Sequence, residues 1–307
     1  MKKIIIFVLL LIFIPFFIVL FYNKNYKEIE LNYINTVYIR VKRNQTNEIE
    51  TIPLEEYVVG VLAGEMPISF DMEALKAQAV ASRSYALKRM EYNHDKEYDV
   101  VDSIINQVYL DNDYLKNAWG NSYVKNINKL RQAVNSTIDE YLEYDNKVID
   151  AMFFSTSNGY TEDSSNIFDF DCAYLKSVES PWDKDVSSAY ITTKIMNLTE
   201  FYKLLNIPYN KNLNIEIEKR SNTNRILLLK INDVEFKGTN VYNKLSLRST
   251  DFQIELQGQT IKITTKGYGH GVGMSQYGAL GMAKAGYNYN QILAHYYQNT
   301  TLTKLKN

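Results

Sequence analysis

The chain has 307 residues, of which 46% are hydrophobic and 22% charged, and its formal net charge is −1. That is enough apolar material for one large or two small cores. The balanced charge excludes the basic field that nucleic-acid binding needs, so no nucleic-acid partner is expected. A single cysteine, Cys172, excludes an intrachain disulfide.

Met1-Lys2-Lys3 leads into an uncharged run from Ile4 to Phe21, long enough to cross a hydrocarbon core of about 30 Å as a helix. A cleaved signal peptide would have a shorter apolar region ending in a small-x-small site. The run is longer than that and enters Tyr22-Asn23-Lys24-Asn25, which favours an uncleaved anchor. The leading lysines predict a cytoplasmic amino end, with Lys24 and Lys27 on the far side counting against it; with that orientation the rest is expected to work outside the cytoplasmic membrane as a single-pass protein.

Alternation at Val37, Ile39 and Val41 predicts a strand within Tyr33–Arg43. Leu54 to Ala63 then reads as a short apolar helix stopped by Gly64 and Pro67. A second helix runs from Met72 to Met90, with Asp71 as N-cap and Glu73 in the first turn. It is apolar on nearly every face, which predicts burial. Lys147 to Phe154 reads as a strand and the "STSNGYTED" that follows as a loop. Two hairpins follow, one across Leu213–Asn232 and one across Asp251–Gly267. In the second, the run Phe252, Ile254, Leu256 stands against the run Ile261, Ile263, Thr265 across Gly258. The mixture predicts an α+β fold: a membrane-anchored ectodomain with a helical/β core and an inserted β-rich subdomain.

"KGYGHGVGMSQYGALGMAKAG" places glycine at 267, 269, 271 and 273 beside one of only three histidines. It fails the dinucleotide and phosphate-loop patterns, and "GMSQY" lacks the last glycine of a nucleophile elbow. His94, Cys172, His270 and His295 are too scattered for a ligand set, so neither metal nor cofactor is expected. What remains is a flexible turn at a helix start that presents His270, Ser275, Gln276 and Tyr277 to an uncharged polar ligand such as a sugar. A tight strand-to-helix connection explains the same residues. Glu65, in "LAGEMPISF", lies between two apolar helices. Burial there would raise its pKa and keep it protonated as a general acid. A capping role, or a pair with Arg83, is the alternative.

"LEEYVVGVLAGEMPISFDMEALKAQAVASRSYAL", "FFSTSNGYTED", "YLKSVESPWD" and the glycine segment through "YNYNQILAHYY" together resemble the stage II sporulation protein D family from about Leu54 onward. The resemblance implies a lytic transglycosylase acting on denuded peptidoglycan glycan strands, with Glu65 of the Glu65-Met66-Pro67 motif as its catalytic residue. It implies a glycan groove lined by Gln78, Arg83, Ser155, Ser157, Tyr160, Tyr268, His270, Gln276 and Tyr277, the glycines letting backbone lie against a sugar ring. It implies as partners an amidase, stage II sporulation protein P, and a membrane protein, stage II sporulation protein M. The place of action would be the space between mother-cell and forespore membranes during engulfment. Relatives that only enhance an amidase share this domain, so a non-catalytic peptidoglycan-binding activator is the other implied function. Some relatives hold zinc just after the first long helix, but Val101, Ile105 and Asn106 stand where those ligands are expected, so no zinc is predicted. The expected division is an anchor over 1–22, a stalk and first strand over 23–48, a catalytic core over 49–189 and 259–307, and the β-rich subdomain over 190–258.

Overall fold

The computed structural model describes residues 27–32, 36–168 and 170–306. The expected anchor, Ile4 to Phe21, lies outside them. Among the described residues no helix is long and apolar enough to cross a membrane.

The fold is α+β, with several small sheets around a helical centre. Strand β1 (Tyr38–Lys42) pairs antiparallel with β2 (Ile49–Pro53), which runs directly into α1 (Leu54–Glu65). Helix α2 (Met72–Tyr92) follows after Pro67, and the Asp71 side chain caps it by accepting from Glu73 N at 3.0 Å. A short β3 (Val100–Val101) joins β1 in parallel. Then come α3 (Asn112–Trp119) and α4 (Tyr123–Ser136), and β4 (Glu140–Tyr144) with its partner β5 (Lys147–Val148).

Helix α2 is the hub, packed against α1, α4 and β4. Its alanines at 74, 77, 79, 81 and 86 are all fully buried. Small side chains allow neighbours to close in from every side, and alanine is also the best helix former, so a helix without an amphipathic stripe is stable here.

The strand expected over Lys147–Phe154 is two strands. β5 belongs to the sheet of β4, whereas β6 (Phe153–Phe154) pairs in parallel with a distant segment, β13 (Met274–Ser275). The two halves have different partners, so the chain breaks its extended run between them. Two short helical turns follow, α5 (Ser164–Ile167) and α6 (Asp183–Val186).

From β7 (Ile191–Asn197) the chain builds a unit with a second core. It contains α7 (Leu198–Leu205), β8 (Ile215–Arg220), β9 (Ile226–Ile231), β10 (Val234–Lys237), α8 (Gly238–Lys244), β11 (Phe252–Gln257) and β12 (Thr260–Lys266). Its sheets run β10-β9-β8 and β11-β12-β7. Phe201, Tyr202, Leu229, Ile231, Ile261 and Ile263 are buried together. Both expected hairpins form, and in the second the two runs face each other with Phe252 opposite Thr265, Ile254 opposite Ile263 and Leu256 opposite Ile261. Because β12 pairs with both β11 and β7, this unit extends to Lys266, past the boundary expected at 258. The chain then returns through the glycine loop and β13 to α9 (Gln276–Lys284), α10 (Tyr289–Tyr296) and β14 (Thr301–Lys304), which closes on β4. Both of these helices pack on α2.

Candidate active site

Glu65 is the last residue of α1, and the chain turns extended at Met66 ahead of Pro67. The side chain is half-buried. Its Oε1 accepts from the backbone N–H of Val108 at 2.7 Å. Burial pushes its pKa upward, opposed by the Val108 N–H and, more weakly, by the Gln276 amide. Tyr85 on α2 lies within electrostatic range of it, its hydroxyl accepting from Asn106 at 3.1 Å. The Tyr85 hydroxyl is held protonated mainly by burial and in small part by the Glu65 charge. The alternative partner for Glu65 is engaged elsewhere, because Arg83 pairs with Glu55.

The glycine loop reaches this carboxylate through Gln276. Only 6% of Gln276 is exposed, and its Nε2 finds no hydrogen-bond partner among the described residues. The amide lies near enough to favour the ionised form of Glu65 without completing a hydrogen bond to it. Tyr277 donates its backbone N–H to Ser155 O at 3.0 Å and packs its ring edge-on against Phe70, with centroids 5.0 Å apart. Ser155 and Tyr277 therefore sit beside the chain that leaves Glu65.

His270 is pinned at both nitrogens. Nδ1 accepts from Val272 N at 3.0 Å, so the proton sits on Nε2, which donates to Phe153 O at 3.1 Å. The residue keeps some surface at the cleft, but both nitrogens are occupied by backbone groups, and burial drags the pKa to about 4. At neutral pH this imidazole is uncharged and shapes the wall. It lines a cleft of about 250 Å³ with Tyr85, Ile105, Asn106, Phe153 and Phe168.

The alternating glycines serve the protein's own packing. All four have positive φ, between +79° and +110°. A Cβ on Gly267, Gly269 or Gly273 would fall 2.9 Å from Thr156 O, 2.8 Å from Phe154 Cβ and 2.0 Å from Met152 O respectively. A Cβ on Gly271 would fall 2.6 Å from the Arg225 guanidinium. Only glycine combines that backbone with such close approach. The expected sugar contact of the glycines is thus replaced by contact with residues 152–156 and Arg225.

Other expected groove residues are placed in the interior. Arg83 is fully buried, donating from Nε and Nη2 to the two Glu55 oxygens at 2.7 and 2.5 Å and from Nη1 to Glu140 O at 2.8 Å. Ser157 is fully buried, donating its hydroxyl to Ser180 O at 2.9 Å. Gln78 is fully buried and donates to Ser82 Oγ at 3.0 Å. Buried polar groups take internal partners because an unpaired one is expensive; Arg83 and Ser157 have them, while Gln78 is paired through Nε2 alone, its Oε1 having no partner among the described residues, and on burial all three are corrected from groove to framework. Tyr160 and Tyr268 are exposed, and the Tyr268 ring lies 4.3 Å from the Arg248 guanidinium carbon.

Several residues of this framework escaped the sequence reading. Asp183, fully buried, accepts from Ser157 N at 2.8 Å, Ser180 Oγ at 2.7 Å and Ser275 Oγ at 2.5 Å, and Ser275 caps α9. Glu162 and Arg225, each 1% exposed, lie 3.9 Å apart behind the glycine loop. Glu162 also gathers the Ser221 and Thr223 hydroxyls at 2.5 Å, tying the inserted unit to the site. Asp183 stood in the "SPWD" stretch and Glu162 in "GYTED", but nothing local marks either as buried.

A family pattern described as "Stage II sporulation protein" matches residues 42–144. The chain is 43% identical to stage II sporulation protein D of Bacillus amyloliquefaciens over 273 residues, covering 87% of this chain and 79% of that protein. Against the protein of the same name from Bacillus subtilis it is 42% identical with the same coverage. It is also 30% identical to the amidase enhancer of Bacillus subtilis, covering 80% of this chain and 40% of that longer protein. With such identity spread across both chains, this protein belongs to the stage II sporulation protein D family.

Proposed function

We propose that this protein is a lytic transglycosylase that cleaves the bond between N-acetylmuramic acid and N-acetylglucosamine in denuded peptidoglycan strands, with Glu65 as its single acid and base. Protonated Glu65 gives its proton to the glycosidic oxygen as the bond to C1 of the muramic acid breaks. The resulting carboxylate takes the proton from the 6-hydroxyl as O6 closes on C1. The products are a free 4-hydroxyl and a 1,6-anhydro end, and Glu65 is again protonated. No water is consumed, so the second carboxylate of ordinary glycoside hydrolases has no task.

The observation that carries this reading is Glu65 itself, half-buried with its pKa raised by burial, held by the Val108 N–H and approached by the Gln276 amide at the end of the glycine loop. A carboxyl of that kind is protonated further toward neutral pH, as a general acid requires. The reading places the protein outside the cytoplasmic membrane, anchored by residues 4–21, between mother-cell and forespore membranes. There an amidase such as stage II sporulation protein P would strip the stem peptides, with stage II sporulation protein M as membrane partner.

The test is mass spectrometry of products from naked glycan. Glu65→Gln should lower the yield of anhydro-muramyl ends by about 10²–10⁴-fold, and ends released at the native rate by that variant would refute the role. The amidase-enhancer relative favours one second reading, a peptidoglycan binder that stimulates an amidase. That reading predicts no anhydro ends from the native chain and an amidase rate that Glu65→Gln leaves unchanged.

A further inference from the structure

The segment from Asn106 to Leu110 crosses α1 at the level of Glu65, and the helix is notched to receive it. A Cβ on Gly64 would fall 2.4 Å from Val108 O, and one on Gly60 would fall 2.3 Å from the Tyr109 ring and 2.6 Å from Leu110 O. These two glycines, four apart on one face of α1, let the crossing backbone lie directly on the helix. Leu110 N donates to Gly60 O at 3.2 Å, and Val108 N donates to Glu65 Oε1 at 2.7 Å.

The preceding residues tether the same segment from beneath. Gln107, fully buried, accepts from the Tyr57 hydroxyl at 3.1 Å and directs its Nε2 at Ser82 O, 3.4 Å away. Asn106 accepts from Val101 N at 2.9 Å and donates to the Tyr85 hydroxyl at 3.1 Å. The tethers therefore anchor one end to α1 and α2 and deliver a single N–H to the carboxylate.

We propose that residues 106–110 form a strap that sets the proton affinity of Glu65, with Gly64 and Gln107 as positioning residues that press the Val108 N–H onto its carboxylate. This rests on the reading of Glu65 as both acid and base. A carboxyl used twice in one cycle must release its proton and recover it, so it needs an intermediate affinity. Burial alone drives it toward permanent protonation. One backbone donor offsets that without introducing a charge. The titratable groups that feel the Glu65 charge are Tyr57 on its own helix and Tyr85 on α2, and none of its own shift comes from a charged neighbour.

The experiment follows the Glu65 carboxyl by NMR in the full-length chain carrying ¹³C-labelled glutamate, the resonance identified by its loss in Glu65→Gln. Gly64→Ala forces Val108 away, although alanine itself suits the helix better. Loss of a hydrogen bond to the charged form should raise the Glu65 titration by about one unit, with kcat on naked glycan falling while KM holds. Gln107→Ala and Tyr57→Phe loosen the strap without crowding it, and should move the titration in the same direction if Gly64→Ala does not fold. A merely structural segment would lower the melting temperature and leave the titration in place. A wild-type Glu65 titration in any folded Gly64→Ala or Gln107→Ala protein overturns the proposal. The NMR result stands whether or not anhydro ends form, so failure of the strap and failure of the enzymatic reading are separable.

Discussion

Arg83 offers the sharpest separation between motif membership and physical role. Its guanidinium is fully buried and held by two bonds to Glu55, itself 3% exposed, and by one to the Glu140 carbonyl. Glu55 also takes the Asp139 N–H at 3.3 Å, so one carboxylate joins α1, α2 and the approach to β4. Removing either charge leaves the other buried and unpaired, which costs about 3–5 kcal/mol. A domain is commonly stable by only about 5–15 kcal/mol, so Arg83→Met or Glu55→Gln should consume a large part of the margin. For a chain of this size that corresponds to a melting point lower by roughly 5–10 °C. Calorimetry of Arg83→Met, of Glu55→Leu and of the two combined forms a cycle. The double variant should recover much of the loss, because both charges vanish together. Glycan binding per folded molecule should not change in Arg83→Met. If that variant melts like the native protein yet no longer sediments with naked glycan, the guanidinium meets substrate and the buried pair described above is wrong.

Glu65→Gln should be a stabilising change at neutral pH. Because the folded carboxyl has a raised pKa, the native protein loses stability as pH climbs from the ordinary glutamate range of about 4.3 through the folded value. Chemical unfolding should show the variant's advantage at pH 7 and little at pH 4, and an equal difference at both would contradict a desolvated carboxyl. His270 acts in the opposite direction. Its folded pKa of about 4 lies below an unfolded value of about 6.5, so stability is present above 6.5 and falls toward pH 4, by up to about 3 kcal/mol. Measured in the Glu65→Gln background, that slope should flatten in His270→Asn; an unchanged slope would show that another group titrates. Gly273→Ala combines a left-handed backbone at +79° with a Cβ 2.0 Å from Met152 O, and should lose roughly 2–5 kcal/mol. Gly258→Ala, also left-handed but with nothing among the described residues within 4 Å of its Cβ, should lose only about 1–2 kcal/mol. Similar losses at both sites would mean that strain, not packing, explains the glycine loop.

The amino-acid order by itself specifies the elements whose causes are local. Pro67 ends α1, Asp71 starts α2, and the alternation around Gly258 sets the β11–β12 register, because each depends on neighbours a few residues away. It also singles out Glu65 and the glycine loop as unusual, since a carboxylate between apolar helices and glycines at every second place violate local preference. Only the tertiary structure decides what those anomalies face. Arg83 meets Glu55 across 28 positions, Val108 meets Glu65 across 43, and Gly273 packs on Met152 more than a hundred residues away. Lys147–Phe154 divides because its two ends find strands in different sheets. Periodicity reports which face of an element is apolar, but the partner of a buried charge is set by which distant segments the packed core brings into bonding range.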